Sequence, residues 1–112
     1  MFLGQDGLPK TQLKWTAPTT NTDGSDIVGG LTYNLYLWDA GVAGAILSFP
    51  GSLNPDGQYG FPLDQIAAFD TDRVYDLSLT AVDDDGDESD HSNHTEVTRA
   101  MAPLAPTGLG LE

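Results

Sequence analysis

The stretch Arg73–Asn93, RVYDLSLTAVDDDGDESDHSN, constrains this chain most. Its first half alternates strictly: Tyr75, Leu77, Leu79 and Ala81 fall on one side, Asp76, Ser78 and Thr80 on the other. Successive side chains of a strand point to opposite faces, so the pattern predicts a β-strand over Val74–Val82 with one apolar face. Its second half is acidic and contains Asp85-Gly86, a pair that turns the backbone between strands. A lone strand has nothing to bury its apolar face against, so the rest of the chain must supply its neighbours.

Those neighbours are short. Thirteen glycines and seven prolines interrupt the chain, and no window holds an apolar period of 3.6, which excludes long helices. Residues 1–10 form a loose N-terminal segment with an edge strand at Phe2–Leu3, limited by Pro9. Thr11–Thr16 alternates, with Leu13 and Trp15 inward, and Pro18 ends it. Residues 17–30 are a long loop whose Ile27 and Val28 tuck over the end of the core. Leu31–Trp38 is a strand with Tyr33, Leu35 and Leu37 on one face and Asn34, Tyr36 and Trp38 on the other. After a turn at Asp39-Ala40-Gly41, Ala45–Phe49 returns. Turns at Pro50-Gly51 and Asn54–Gly57 lead to a strand at Tyr59–Leu63 and one helical turn at Gln65–Phe69. The last strand runs from His94 to Met101, with Thr95 and Val97 inward. Residues 102–112, APLAPTGLGLE, form a linker or arm after the single domain of residues 11–101. Short strands separated by turn residues predict an all-β fold.

Charge excludes several classes. Seventeen acidic residues stand against four basic ones, a formal net charge of −13. Nucleic acids and anionic membranes are poor partners, because both require clustered Lys or Arg. No apolar run approaches the roughly 20 residues of a membrane span. There is no cysteine, so no disulfide framework. The start, MFLGQDGLPK, lacks the basic and apolar regions of a secretory signal.

In this order the strands resemble a fibronectin type III domain over residues 11–101. The resemblance rests on LKWTAP at Leu13–Pro18, the loop around Asn21–Ser25 and YNLY at Tyr33–Tyr36. It rests also on Tyr75 placed six residues after Phe69, and on Ala81-Val82-Asp83 followed by Gly86 and Glu88-Ser89-Asp90. The loops are similar to those of microbial and bacteriophage members. The resemblance implies a seven-stranded, immunoglobulin-like β-sandwich in which Trp15, Phe69 and Tyr75 are structural. Tyr75 would form a tyrosine corner, its hydroxyl bonding the backbone a few residues upstream. The family's first-strand motif is poor in residues 1–10, while Ala105–Leu109 is similar to it. Either the C-terminus retains the start of a following repeat, or Pro106, Leu109 and Leu111 belong to an arm that pairs with a neighbouring subunit.

Three groups of residues are candidate sites. Asp83, Asp84, Asp85, Asp87, Glu88 and Asp90 put six carboxylates within eight residues. Ca²⁺ takes about six to eight oxygen ligands, which makes Asp83, Asp85, Asp87 and Asp90 a chemically possible site. The EF-hand spacing fails, however, and a solvated hairpin loop explains the composition as well. Asp23 and Asp26, on a loop at the same end, would add to this negative pole. His91 and His94 could take a transition metal adventitiously, but two loop histidines without further ligands read as solvated. Tyr36 and Trp38, with Tyr59, could form a docking or sugar-stacking face, or could pack across strands. No nucleophile motif, P-loop or paired-acid cleft is present, so no enzyme activity and no cofactor are expected.

These readings converge on a non-enzymatic binding or structural module. A domain opening on Met1 without a signal, with phage-like loops, fits a bacteriophage virion accessory protein, made in the host cytoplasm. It would decorate the capsid or belong to the neck or tail. Its partners would be other virion proteins, itself, or host-surface glycans. The alternative is a carbohydrate-associated module of a secreted bacterial enzyme or adhesin.

Overall fold

A computed structural model describes residues 1–27, 29–69, 73–100 and 105–112. Among them lie nine strands and one short 3-10 turn. The strands are β1 (Phe2–Leu3), β2 (Pro9–Lys10), β3 (Gln12–Trp15), β4 (Thr32–Asp39), β5 (Val42–Phe49), β6 (Ser52–Leu53), β7 (Tyr59–Pro62), β8 (Val74–Val82) and β9 (Thr95–Arg99). The 3-10 turn spans Leu63–Gln65, a little earlier than the helical turn expected at Gln65–Phe69. The fold is all-β, with every strand pair antiparallel. No helix among the described residues is long and apolar enough to cross a membrane.

Six strands form one sheet in the order β2-β1-β9-β8-β4-β5, and three form another in the order β3-β7-β6. β8 spans the expected Val74–Val82 and lies between β4 and β9. Its apolar face packs into a core of Tyr33, Leu35, Phe49, Leu63, Ile66, Phe69, Tyr75, Leu77 and Val97. Leu13, Trp15 and Phe61 reach that core from the smaller sheet. The Trp15 ring meets Tyr33 at 5.0 Å and Phe49 at 5.6 Å, edge-on. Phe49 and Phe61 stand 4.3 Å apart, so aromatic contacts tie the two sheets together. Phe69 packs 4.6 Å from Tyr75, and the Arg73 guanidinium lies over the Tyr75 ring at 4.9 Å. The backbone at 70–72, where a tyrosine corner would be closed, lies outside the described residues, as do Val28 and Met101–Leu104.

The N-terminal segment is not loose. β1 pairs with β9 through Phe2↔Arg99 and Leu3↔Thr98, and β2 folds back onto β1. Phe2 packs on Phe69 at 5.8 Å. Two-residue strands carry no readable period, but a turn signal was present. Gly4–Leu8 closes with Gly4 N–H to Leu8 C=O and Gly7 N–H to Gly4 C=O. Asn21–Ser25, Asn54–Gln58 and Asp83–Asp87 close with the same two bonds. Each carries Asp-Gly at its third and fourth positions, with the glycine φ between 76° and 87°. That is a three-residue hairpin loop with its last position left-handed, where glycine avoids a Cβ clash. A tighter turn joins β4 to β5, with Ala40 and Gly41 both at positive φ, the primed geometry of a two-residue hairpin.

Candidate functional site

The face of the larger sheet turned away from the core carries the chain's densest polar cluster. The register sets Trp38 opposite Asp76, Tyr36 opposite Ser78 and Asn34 opposite Thr80. Alternation puts all six side chains on one face. Ser78 and Thr80 are each only 3% exposed, although they point away from the core. The chain after β8 covers them.

That cover is built from the acidic stretch. Asp83 makes the turn with its own carboxylate, whose Oδ1 accepts the N–H groups of Asp85 at 3.0 Å and Asp87 at 2.9 Å. Val82 then bridges to Glu88, and the chain runs back along β8. Ser89 N–H donates to Ala81 C=O at 2.8 Å, and Ser89 Oγ accepts Ala81 N–H at 2.9 Å. Ser92 repeats the arrangement on Leu79, at 2.8 and 3.0 Å. Two serine hydroxyls thus replace two carbonyls on the edge of β8, and residues 88–92 extend the sheet without regular strand geometry.

Glu88 is the hub. Its Oε2 accepts from Asn34 Nδ2 at 3.1 Å, Tyr36 hydroxyl at 2.5 Å and Thr80 hydroxyl at 2.5 Å. Asn34 Oδ1 in turn accepts the Ser48 hydroxyl at 2.5 Å. Three donors stabilise the charged carboxylate, Thr80 most, and hold its pKa down at about 2 against an ordinary 4.5. The hydrogen bond to Glu88, with burial and the carboxylate's charge behind it, raises the Tyr36 phenol. Three residues on, the His91 ring packs edge-on against Tyr36 at 4.6 Å and Trp38 at 5.2 Å. Ser78 Oγ accepts the Trp38 indole N–H at 2.8 Å and lies 2.8 Å from His91 Nδ1. His94 lies 4.7 Å from Trp38 and 3.0 Å from an Asp76 oxygen.

This arrangement changes several expectations. Tyr36 and Trp38 share a face, but His91 and His94 lie against them, so they form no open stacking platform. Tyr59 is not on that face. It belongs to β7, stacks on Trp15 at 6.4 Å and packs tilted against Tyr33 at 6.1 Å, beside the core. The acidic stretch projects only at its tip; Glu88 and His91 are drawn down onto the sheet. Asp83, Asp85 and Asp87 keep ligand oxygens within 4.8 Å of one another, whereas Asp90 is not part of that group. The local N–H bonds of Asp83 account for its placement without an ion. The two loops expected at this end do meet, since a Cβ at Gly29 would stand 1.9 Å from an Asp84 oxygen. Ser78 and His91 come within hydrogen-bond distance, yet that hydroxyl is buried and holds the indole N–H, which leaves it no approach for a substrate.

A second feature had no sequence signal. An open groove of about 690 Å³ lies between β3 and β9. Its lining is mixed: Leu13, Trp15, Leu77 and Val97 are among its apolar residues, and its polar ones include Lys10, Lys14, Asp6 and Glu96. Both lysines are paired, Lys10 with Asp6 at 3.0 Å and Lys14 with Asp56. Pro106, Leu109 and Leu111 lie in residues 105–112, all of which are exposed. Compared with known proteins, the chain matches no family model, no curated sequence and no solved structure.

Proposed function

We propose that this protein is a non-enzymatic assembly module, a fibronectin type III-like β-sandwich that serves as an accessory component of a bacteriophage particle. One observation carries the assembly reading: the conspicuous polar groups are spent on one another, while a partly apolar groove and an apolar terminal segment stay open. A surface of that kind suits protein–protein docking better than turnover of a substrate. The sandwich reading is supported by six strands, β3, β4, β5, β7, β8 and β9, in the order and partnership the resemblance implies. A seventh strand beside β3 has no counterpart among the described residues. The phage placement rests on the microbial and phage character of the loops at Asn21–Ser25 and Ala81–Asn93. In this reading the acidic tip at Asp84–Asp87 faces solvent and no metal or cofactor is required. Mass spectrometry of purified particles from the encoding system tests it. A fixed copy number per particle is expected; absence from particles that carry their other accessory proteins contradicts it.

A further inference from the structure

The smaller sheet ends on an unpaired edge. β3 has β7 on one side and no strand on the other among the described residues, although Leu13 and Trp15 belong to the core. Across the groove, β9 meets β1 only at Thr98 and Arg99, so Thr95–Val97 present a second unpaired stretch. The apolar floor between these edges is made of the partly buried Leu13, Trp15 and Leu79, with Leu35, Leu63, Leu77 and Val97, each at most 4% exposed, beside them. Unpaired strand edges over an apolar floor are a template for another strand.

Residues 105–112, APTGLGLE, have the pattern such a strand needs. Leu109 and Leu111 are two apart and therefore share a face, yet they are 99% and 102% exposed. We infer that residues 105–112 of a second copy of this chain dock as an added strand on the free edge of β3, with Leu109 and Leu111 entering the groove. This rests on the reading of the protein as an assembly module and gives that module its partner.

Charge and parity agree with the assignment. With Leu109 and Leu111 inward, Glu112 falls on the outward face, the face to which β3 gives Gln12 and Lys14. Glu112 is the segment's one charged side chain, and the groove's own charges balance, Lys10 and Lys14 against Asp6 and Glu96. Elsewhere this chain is strongly acidic and would repel a more acidic strand. Gly108 stands at φ +74° and must become extended on docking, a change glycine makes without a Cβ penalty. Pro106 lacks an N–H and falls at the start of the added strand, where an edge tolerates it. The donor is a second copy because on its own chain the segment stands clear, with Leu109 and Leu111 fully exposed and the β3 edge unpaired among the described residues.

The test uses the full chain. Sedimentation velocity over a wide concentration range should show self-association, abolished in the Leu109→Asp/Leu111→Asp variant, whose changes touch only exposed positions. Hydrogen exchange of the Gln12–Trp15 amides should slow by about tenfold or more in the associated form and not in that variant. Adding a synthetic APTGLGLE peptide to the variant should restore the protection, and Lys14→Glu should weaken association. A full chain that stays monomeric at every concentration overturns the inference, as does association unchanged in the variant. Protection of β3 in a strict monomer overturns it too, because the arm would then dock on its own chain. None of these results alters the copy number found in particles, so this inference and the particle reading fail separately.

Discussion

The two faces of β8 are both closed to solvent, by different means. On one face Tyr75 and Leu77 are each 1% exposed among aromatic and aliphatic side chains. On the other, Ser78 and Thr80 are each 3% exposed beneath a returning segment held by hydrogen bonds. The first face is closed by apolar area removed from water, which is insensitive to pH and weakly directional. The second is closed by donors and an ionised acceptor, so it depends on geometry and on the protonation of Glu88. The comparison teaches that burial alone does not mark a core: the apolar face carries the stability, while the polar face carries the placement of residues 88–94.

The largest effect should come from the apolar face. Leu77→Ala is expected to cost about 2–5 kcal/mol in urea unfolding, the range for a buried leucine that leaves a cavity. A loss under about 1 kcal/mol would mean that the sheets are packed less tightly than described. On the polar face, Glu88→Ala should cost about 1–2 kcal/mol, because the Thr80 hydroxyl loses its acceptor where water reaches it poorly. Glu88 itself is exposed, which keeps the effect below that of the leucine. In the same variant, amide exchange at Leu79 and Ala81 should speed up as Ser89 and Ser92 come away, while amides of β3 stay unchanged.

A subtler effect separates the faces by pH. The folded pKa of Glu88 lies below its ordinary 4.5, so its contribution is complete above 4.5 and is lost as pH falls towards about 2. Stability curves of the wild type and Glu88→Gln should therefore converge over that window, whereas Leu77→Ala should keep a constant offset. Gly86→Ala should cost about 1 kcal/mol, since φ there is +87° and an added Cβ meets no neighbour within 4 Å. Removing an exposed ion pair should do least: Lys10→Ala is expected to leave the urea unfolding midpoint essentially unchanged, both partners being exposed.

The apolar face was legible in the sequence because a period of two over nine residues marks a strand and names its inward side chains. Trp15, Tyr33 and Tyr75 were placed in or against the core for the same reason, whereas Phe69 was named structural only through the resemblance. The polar face was half legible: alternation grouped Asn34, Tyr36, Trp38, Asp76, Ser78 and Thr80 into two sets, but it says nothing about what covers a face. Covering depends on the register of the return, which Ser89 and Ser92 set through side-chain bonds that have no periodic signature. Glu88 looked like one carboxylate among six, and only its distances to Asn34, Tyr36 and Thr80 distinguish it. The N-terminal strand at Phe2–Leu3 was expected, but its return at Pro9–Lys10 was missed because a two-residue strand has no period, although Asp6-Gly7 repeats the spacing of Asp23-Gly24, Asp56-Gly57 and Asp85-Gly86. The groove is the product of two strand edges distant in sequence, so no local pattern could announce it.

The claim that the acidic stretch clasps the sheet is tested most directly by a side-chain carbon-13 NMR titration of Glu88. The clasp predicts a midpoint near 2, set by the hydroxyls of Thr80 and Tyr36 and the amide of Asn34. A Glu88 carboxyl that titrates near its ordinary 4.5 in the folded protein would contradict it.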